Sequence, residues 1–326
     1  MSSTSTPVLQ EARPNRRASS FVRRLMRGDE ITYLITAACA LSIVVITSLL
    51  FYQLFVNSAL SRHKFGWNFL FTTTWDPVAG QFGALPFIYG TLVTSALALL
   101  IAVPVGVGAA IFLAELAPPN FSASLTFLIE LLAAVPSVIY GLLAIFVLVP
   151  ALRLVEPALR ATLGFLPLFQ GPFYGVSLLS AGVILAIMIV PFIISISREI
   201  LLAVPADQRE AALALGATTW ESTWQVVVPF ARKGITGSIF LALARALGET
   251  MAVTMVIGNQ PKINTSLFAP GFSIAAVIAN EFTEATGDLY LSSLIELGLV
   301  LFGLTIVING IARLLIATTS GKVAPQ

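Results

Sequence analysis

Apolar positions gather into six long runs separated by polar stretches, at about residues 31–56, 87–114, 123–150, 175–197, 235–258 and 289–317. Each run exceeds the roughly 20 residues that a helix needs to cross a bilayer. The pattern therefore predicts an all-α integral membrane protein with six transmembrane helices. Prolines interrupt three of the runs, at Pro104, Pro136 and Pro191. Membrane helices tolerate them where neighbouring helices or waters take up the freed carbonyls, so kinked helices packed around a cavity are expected. Gly106 and Gly108 in the second run, and Gly234 and Gly237 at the start of the fifth, are expected to let helices approach closely.

Composition supports the same class. Of 326 residues 57% are hydrophobic and only 10% are charged, and the mean hydropathy is +0.93. A soluble domain carries about 25% charged residues, so this chain lacks the polar surface to cover a water-soluble globule. A net charge of +2 gives no reason to expect nucleic acid. Cys39 lies inside an apolar run and His63 is the only histidine, which removes a disulfide framework, metal sites and most Cys/His nucleophile chemistry. No catalytic residue and no metal ligand are assigned.

The polar segment 1–28 carries Arg13, Arg16, Arg17, Arg23, Arg24 and Arg27. The apolar run after it is too long for a signal peptide and no small-residue cleavage site closes it, so it reads as a flexible cytoplasmic tail before a transmembrane domain over 29–326. With this tail inside, Arg198, Arg209, Arg232, Lys233, Arg313 and Lys322 are also cytoplasmic. Only Arg62, Lys64, Arg153, Arg160 and Lys262 are then external. Lys/Arg excess marks the cytoplasmic side, so both termini are expected inside a bacterial or archaeal plasma membrane. The outer loops 57–86 and 151–174 are long enough to meet an external partner. Phe65, Trp67, Phe69 and Trp75 in the first read as an aromatic belt at the membrane surface, and His63 as a solvated loop residue.

Between the fourth and fifth runs, about residues 199–232, the chain has the grammar of two short helices meeting at a bend. Asp207 with Glu210 fits a capping box, and so does Thr218 with Glu221. Gly216 falls where a helix ends in a left-handed residue, and Pro229 is expected to stop the second helix. An ordinary amphipathic connector would show caps too. The run Glu210-Ala211-Ala212, then Gly216, then Val228-Pro229 is more specific. It resembles the EAA loop of ABC-importer permeases, which docks a short helix into an ATP-hydrolysing subunit. The resemblance implies that Ala211 and Ala212 allow close approach there and that Arg209 and Glu210 contact the partner at the rim. The chain has no Gly-x-x-x-x-Gly-Lys-Ser/Thr phosphate loop. It is therefore not expected to be an enzyme, and ATP and Mg belong to a separate ATPase subunit.

The fifth run carries Arg245 and Glu249. Ten residues of helix at about 1.5 Å each put Arg245 near mid-membrane, where a charge costs about 2.5–3.5 kcal/mol on insertion scales. A continuous helix would set Arg245 and Glu249 on one face, with Thr250 and Thr254 beside them. Two readings fit: a buried pair that glues helices, or groups lining a substrate path. A guanidinium fork matches phosphate oxygens, and the carboxylate could repel the anion, hold the empty Arg, or accept a hydrogen bond from a protonated phosphate. Glu130 at the start of the third run fits an interfacial or a cavity carboxylate, and Ser137 a packing or a path residue.

These residues carry a further resemblance, over about 80–316. Arg245-Ala246-Leu247-Gly248-Glu249-Thr250-Met251-Ala252-Val253, Gly258-Asn259, Pro136 to Gly141, Pro205 to Thr218 and Ser266-Leu267-Phe268 are similar to the PstC-type permeases of phosphate-specific ABC importers. The sister PstA-type subunit more often reads Gly-Glu-Thr-Ala-Pro at the central motif. The resemblance implies the type I importer fold and import of inorganic phosphate by alternating access. It implies four kinds of neighbour: a PstA-type permease, two copies of an ATPase, an external phosphate-binding protein and membrane lipid. The expected path residues are Arg245, Glu249, Thr250, Thr254, Ser137 and Asn259. Molybdate, tungstate or sulfate remains an alternative cargo. An ion-gradient transporter would leave the elbow unexplained, and an intramembrane hydrolase would lack its base.

Overall fold

A helix in lipid must satisfy its own backbone, and this requirement organises the chain. The computed structural model describes residues 29–319, with side chains over 32–314; the Arg-rich segment 1–28 and Lys322 lie outside them. The chain divides into two units, one ending at Gln53 and one beginning at Leu54. The first is most of helix α1 (Asp29–Asn57). Its Thr and Ser hydroxyls fold back on its own carbonyls: Thr36 on Thr32, Thr47 on Ile43 and Ser48 on Val44, each at 2.8 Å, so these donors are not left bare towards lipid.

The second unit begins with α2 (Ala59–Phe65) and α3 (Asn68–Phe71). Next comes α4 (Leu85–Ile111), prolonged by a π turn over Phe112–Leu116. Its main partner is α8 (Leu178–Leu202), the most buried span, with Ile184, Leu185, Ile189, Ile193 and Leu201 fully enclosed. Pro104 and Pro191 sit inside α4 and α8 without breaking them. Of the four expected close-approach glycines, Gly106 packs on Ile193 and Gly234 on Ile200, whereas Gly108 and Gly237 face open space.

The third apolar run is not one helix. α5 (Pro119–Ala133) stops, and α6 (Ser137–Leu143) starts after Pro136. Proline lacks an N–H and pushes the preceding residue out of the helical region, so the run 123–150 breaks at 134–136. α6 continues through a π turn, Ala144–Leu148, into α7 (Val149–Leu163). Packing fixes the depth of this span. The Arg198 guanidinium reaches the Ser122 hydroxyl at 3.5 Å at one end, and Val149 packs on Gly175 at the other. The stretch from about 119 to 149 therefore runs alongside α8 from one end to the other, and α7 extends beyond it. There Arg153 and Arg160 donate to the carbonyls of Tyr174 (2.8 Å) and Gly171 (2.6 Å).

The fifth run breaks too. After α9 (Ala206–Ala214) and α10 (Thr219–Ser222), a π turn over Thr223–Val227 leads directly into α11 (Val228–Leu247). Pro229 does not stop a helix, as the sequence suggested. It sits in the first turn of α11, and the π turn absorbs the hydrogen bond that its missing N–H cannot make. α11 ends at Leu247, and α12 (Met251–Ile257) follows. Gly258 at φ 95 and Asn259 at φ 49 then turn the chain into α13 (Ile274–Glu281) and the last span, α14 (Asp288–Thr319). The first N–H groups of α8 are taken by carbonyls of this far-end region: Ser177 by Val256, Leu178 by Ala269 and Leu179 by Leu267, at 2.8–3.0 Å.

The aromatic belt expected in the first loop is mostly a core. Phe69 is fully buried, and it clusters with Phe82, Phe87 and Phe272. Trp75 stacks edge-on to Phe82 and Phe87 and donates to Glu281 at 2.8 Å, and Phe65 packs against the cluster. Only Trp67, 80% exposed, fits the belt. Alternating backbone reversals at 66 and 80 fold this loop onto the ends of α4 and α14, which periodicity cannot show. We expect Phe69→Ala to lower unfolding free energy by about 3–5 kcal/mol, and Trp67→Ala by less than about 0.5 kcal/mol, read from thermal unfolding in detergent.

Candidate functional site

Two interrupted helices meet near the middle of the bundle. The hydroxyls of Ser197 and Ser238, 2.7 Å apart, fix the register of α11 on α8. Arg245 then comes level with Phe192, midway along α8, with its guanidinium 5.7 Å from that ring's centre. Arg245 is exposed in this chain although it lies mid-span. α6 and α12 pack side by side, Gly141 lying against Ala252 and Met255, so the two breaks sit at a similar depth.

Each break is patched by side chains. At 134–136 the Leu132 carbonyl accepts the Tyr140 hydroxyl at 2.7 Å, and Ala134 donates back to Glu130 and Leu131. At 248–250 a Glu249 oxygen accepts from the Ala252 N–H at 3.2 Å, and Thr250 Oγ1 donates to Gly248 (3.3 Å). The shared helical face expected for Arg245 and Glu249 does not exist, because α11 ends between them. They are not an ion pair either: among the described residues the ion pairs are Arg160–Glu156, Arg198–Glu199 and Arg209–Glu115. Glu249 instead caps α12 and leaves the guanidinium to the open side.

The other sequence candidates separate by depth. Ser137 opens α6 at the first break and Thr250 opens α12 at the second, both half-buried. Thr254 is one turn further and donates to the Thr250 carbonyl at 2.7 Å. Asn259 lies at the far end, exposed, with its left-handed backbone serving the turn after α12. Glu130 was read at the start of a span. It lies instead eleven residues into α5, one turn before the break, and is exposed. It therefore shares the depth of Arg245, and only the true start of α5 reveals this.

At the elbow, α9 runs over Ala206–Ala214 with Pro205, not Asp207, as its N-cap, and no side-chain cap. Proline's fixed φ already suits a helix start, so the Asp207–Glu210 box does not form. The second box does: Thr218 and Glu221 satisfy each other's backbone. These hydrogen bonds hold the Glu221 carboxyl below its ordinary range. Gly216 is left-handed, φ 89, at the bend. Glu210, Ala211 and Gly216 are exposed and Ala212 half-buried, and Leu215 beside them is 90% exposed. Arg209 does not join this outward face. It turns inward to Glu115, at 2.7 Å.

With this geometry in hand, comparison with known proteins is decisive. Residues 102–320 match the family described as binding-protein-dependent transport system inner membrane component. The phosphate transport system permease protein PstC of Mesorhizobium japonicum is 50% identical over 94% of this chain and 96% of its own length. That of Haemophilus influenzae is 48% identical over 88% and 93%, and a probable PstC of Methanocaldococcus jannaschii is 35% identical over 88% and 93%. The chain belongs to the PstC-type permeases. Solved transporters share its fold at low identity. A methionine ABC transporter, MetNI, in an inward-facing conformation has a TM-score of 0.54 and 15% identity, covering 76% of this chain and all of that one. A bacterial ABC transporter involved in import of the acidic polysaccharide alginate has a TM-score of 0.55 and 17% identity, covering 89% and 98%. This PstC-type chain is thus a multi-pass membrane permease with the type I ABC importer transmembrane fold.

Glu249 as the cap of α12 is open to a direct check. Glu249→Ala should destabilise by about 1 kcal/mol, whereas Glu249→Asp, which keeps a carboxylate, should lose less, measured by thermal unfolding of the purified protein.

Proposed function

We propose that this chain is the permease subunit that carries inorganic phosphate inward in an ATP-driven importer. The observation that carries the reading is the exposed Arg245 guanidinium at mid-depth, beside two helix breaks and free of any carboxylate partner among the described residues. An arginine fork binds phosphate oxygens through two parallel N–H donors, and its cost in lipid points to a water-filled path. The start of the α6–α7 helical run at the first break adds backbone N–H groups of favourable polarity. Ser137, Thr250 and Thr254 supply hydroxyls along the way, and Asn259 marks its far mouth. The names of the relatives support phosphate over other oxyanions.

The rest of the assembly follows from what this chain lacks. The outward face of Glu210, Ala211, Ala212, Leu215 and Gly216 is the joint for an ATPase subunit, which binds ATP and Mg. Leu213, Leu215, Trp220 and Trp224 are all exposed along the elbow, apolar surface that such a partner would cover. The elbow is then cytoplasmic, as are both termini and the segment 1–28, in a bacterial or archaeal plasma membrane. A PstA-type permease pairs with this chain and a second ATPase copy serves it. An external phosphate-binding protein delivers the cargo at the opposite end, where the segments 167–174 and 264–270 enclose a polar concavity of about 370 Å³.

Uptake of labelled phosphate by cells lacking this gene tests the reading. Wild type should restore uptake, excess molybdate and sulfate should not compete, and Arg245→Ala at equal membrane abundance should lose at least about tenfold, the loss of a charge-assisted pair worth roughly 1.5–3 kcal/mol. Full competition by molybdate or sulfate would remove phosphate as the cargo. Uptake unchanged in Arg245→Ala would remove Arg245 from the path.

A further inference from the structure

One guanidinium fastens the elbow to two spans at once. Arg209, on α9, meets the Glu115 carboxylate through Nη2 at 2.7 Å and through Nε at 3.1 and 3.3 Å. Nη2 also donates to the Leu201 carbonyl at 2.7 Å, and Nη1 donates to that of Val204 at 2.6 Å. Leu201 is in the last turn of α8 and Val204 just beyond it, where carbonyls run out of helical partners; that of Leu201 also accepts the Val204 N–H at 3.2 Å. Glu115 lies in the π turn that ends the second span, and its side chain is only 7% exposed. A carboxylate so enclosed is costly without its counter-ion. Lysine could not replace this grip, because only the planar guanidinium reaches the carboxylate and both carbonyls together.

We propose that Arg209 and Glu115 are positioning residues forming a clamp that makes the elbow, the end of α4 and the end of α8 move as one body. Glu210, the next residue, points out to the ATPase joint, while Arg209 points in. Adjacent residues thus receive the stroke and distribute it. The third connection is covalent, since α10 runs through its π turn into α11, which carries Arg245. Without the clamp, α4 would be linked to the elbow only through apolar packing around Ile111, Leu113, Val204 and Val227, which can slide. The inference rests on the ATP-driven reading above.

The test uses the complete importer, with its partner permease, ATPase and binding protein, in proteoliposomes. Glu115→Gln, Arg209→Lys and the double variant are compared with wild type. Each single variant should lower phosphate uptake about tenfold, within the range of ordinary coupling energies, while the ATPase subunits co-purify at the wild-type ratio and binding-protein-stimulated ATP hydrolysis stays near the wild-type rate. The double variant should be no worse than Glu115→Gln alone, because the residues act as a unit. A second readout needs no cargo. Spin labels at the exposed positions Asn120 and Gln208, in a Cys39→Ser background, should keep one narrow distance distribution when ATP is added to wild type, and a broadened one in Glu115→Gln. Unchanged uptake with a narrow distribution would overturn the clamp. So would hydrolysis falling in step with uptake, or loss of the ATPase from the Arg209→Lys complex, which would make Arg209 a docking residue. If wild type itself carries no phosphate, the cargo reading fails, and the label distances still decide the clamp.

Discussion

Backbone polarity in a medium without water is the constraint behind every unusual feature of this chain. An unbroken helix satisfies it at no further cost, and α8 comes near this over 25 residues, with only the N–H missing at Pro191 left to make good. Every departure requires a donor or acceptor from elsewhere. The Tyr140 hydroxyl covers the carbonyl exposed at Pro136, and the Glu249 carboxylate covers an N–H exposed at Gly248. Arg209 covers two carbonyls where α8 ends. Side chains that bond the backbone thus gather at these helix stops, whereas buried hydroxyls such as Thr91, Thr94, Ser197 and Ser238 sit inside helices and bond their own turn or a neighbouring helix.

This division explains why Arg245 and Glu249 part company. On one continuous helix they would stand one turn apart on a shared face, within reach of an ion pair. The break assigns the carboxylate a backbone donor and frees the guanidinium. Glu249 is left half-buried in its cap, and Glu130, one turn before the first break, is exposed.

The six spans, the elbow bend at Gly216 and the Thr218–Glu221 cap were legible in the sequence because each depends on local chemistry: apolar length, a left-handed glycine, a side chain within three residues. What escaped depends on residues far apart. The apolar run 123–150 hides a helix that starts at Pro119, so Glu130 was read at the wrong depth. Asp207 looked like a cap, but Pro205 had already set the helix start. Phe69 and Trp75 looked interfacial, since nothing local tells that Phe272 and Glu281, some 200 residues on, complete their core. Glu115 drew no notice at all. A lone carboxylate at the end of an apolar run is unremarkable until Arg209, 94 residues later, is found on it. The breaks themselves had a signal in Pro136 and Gly248, though kinked and interrupted helices share it.

The helical run from Ser137 to Leu163 begins at the Pro136 break and is tied near its other end by Arg153 and Arg160 to the Tyr174 and Gly171 carbonyls. It spans 27 residues, about 40 Å at 1.5 Å per residue, and its pivot at Pro136 lies at the depth of Arg245. A tilt of about 5° at that end would displace the tip of α7 by about 3.5 Å over that length. Small angular changes at the break are thus written large at the loop 166–174, whose carbonyls Arg153 and Arg160 hold.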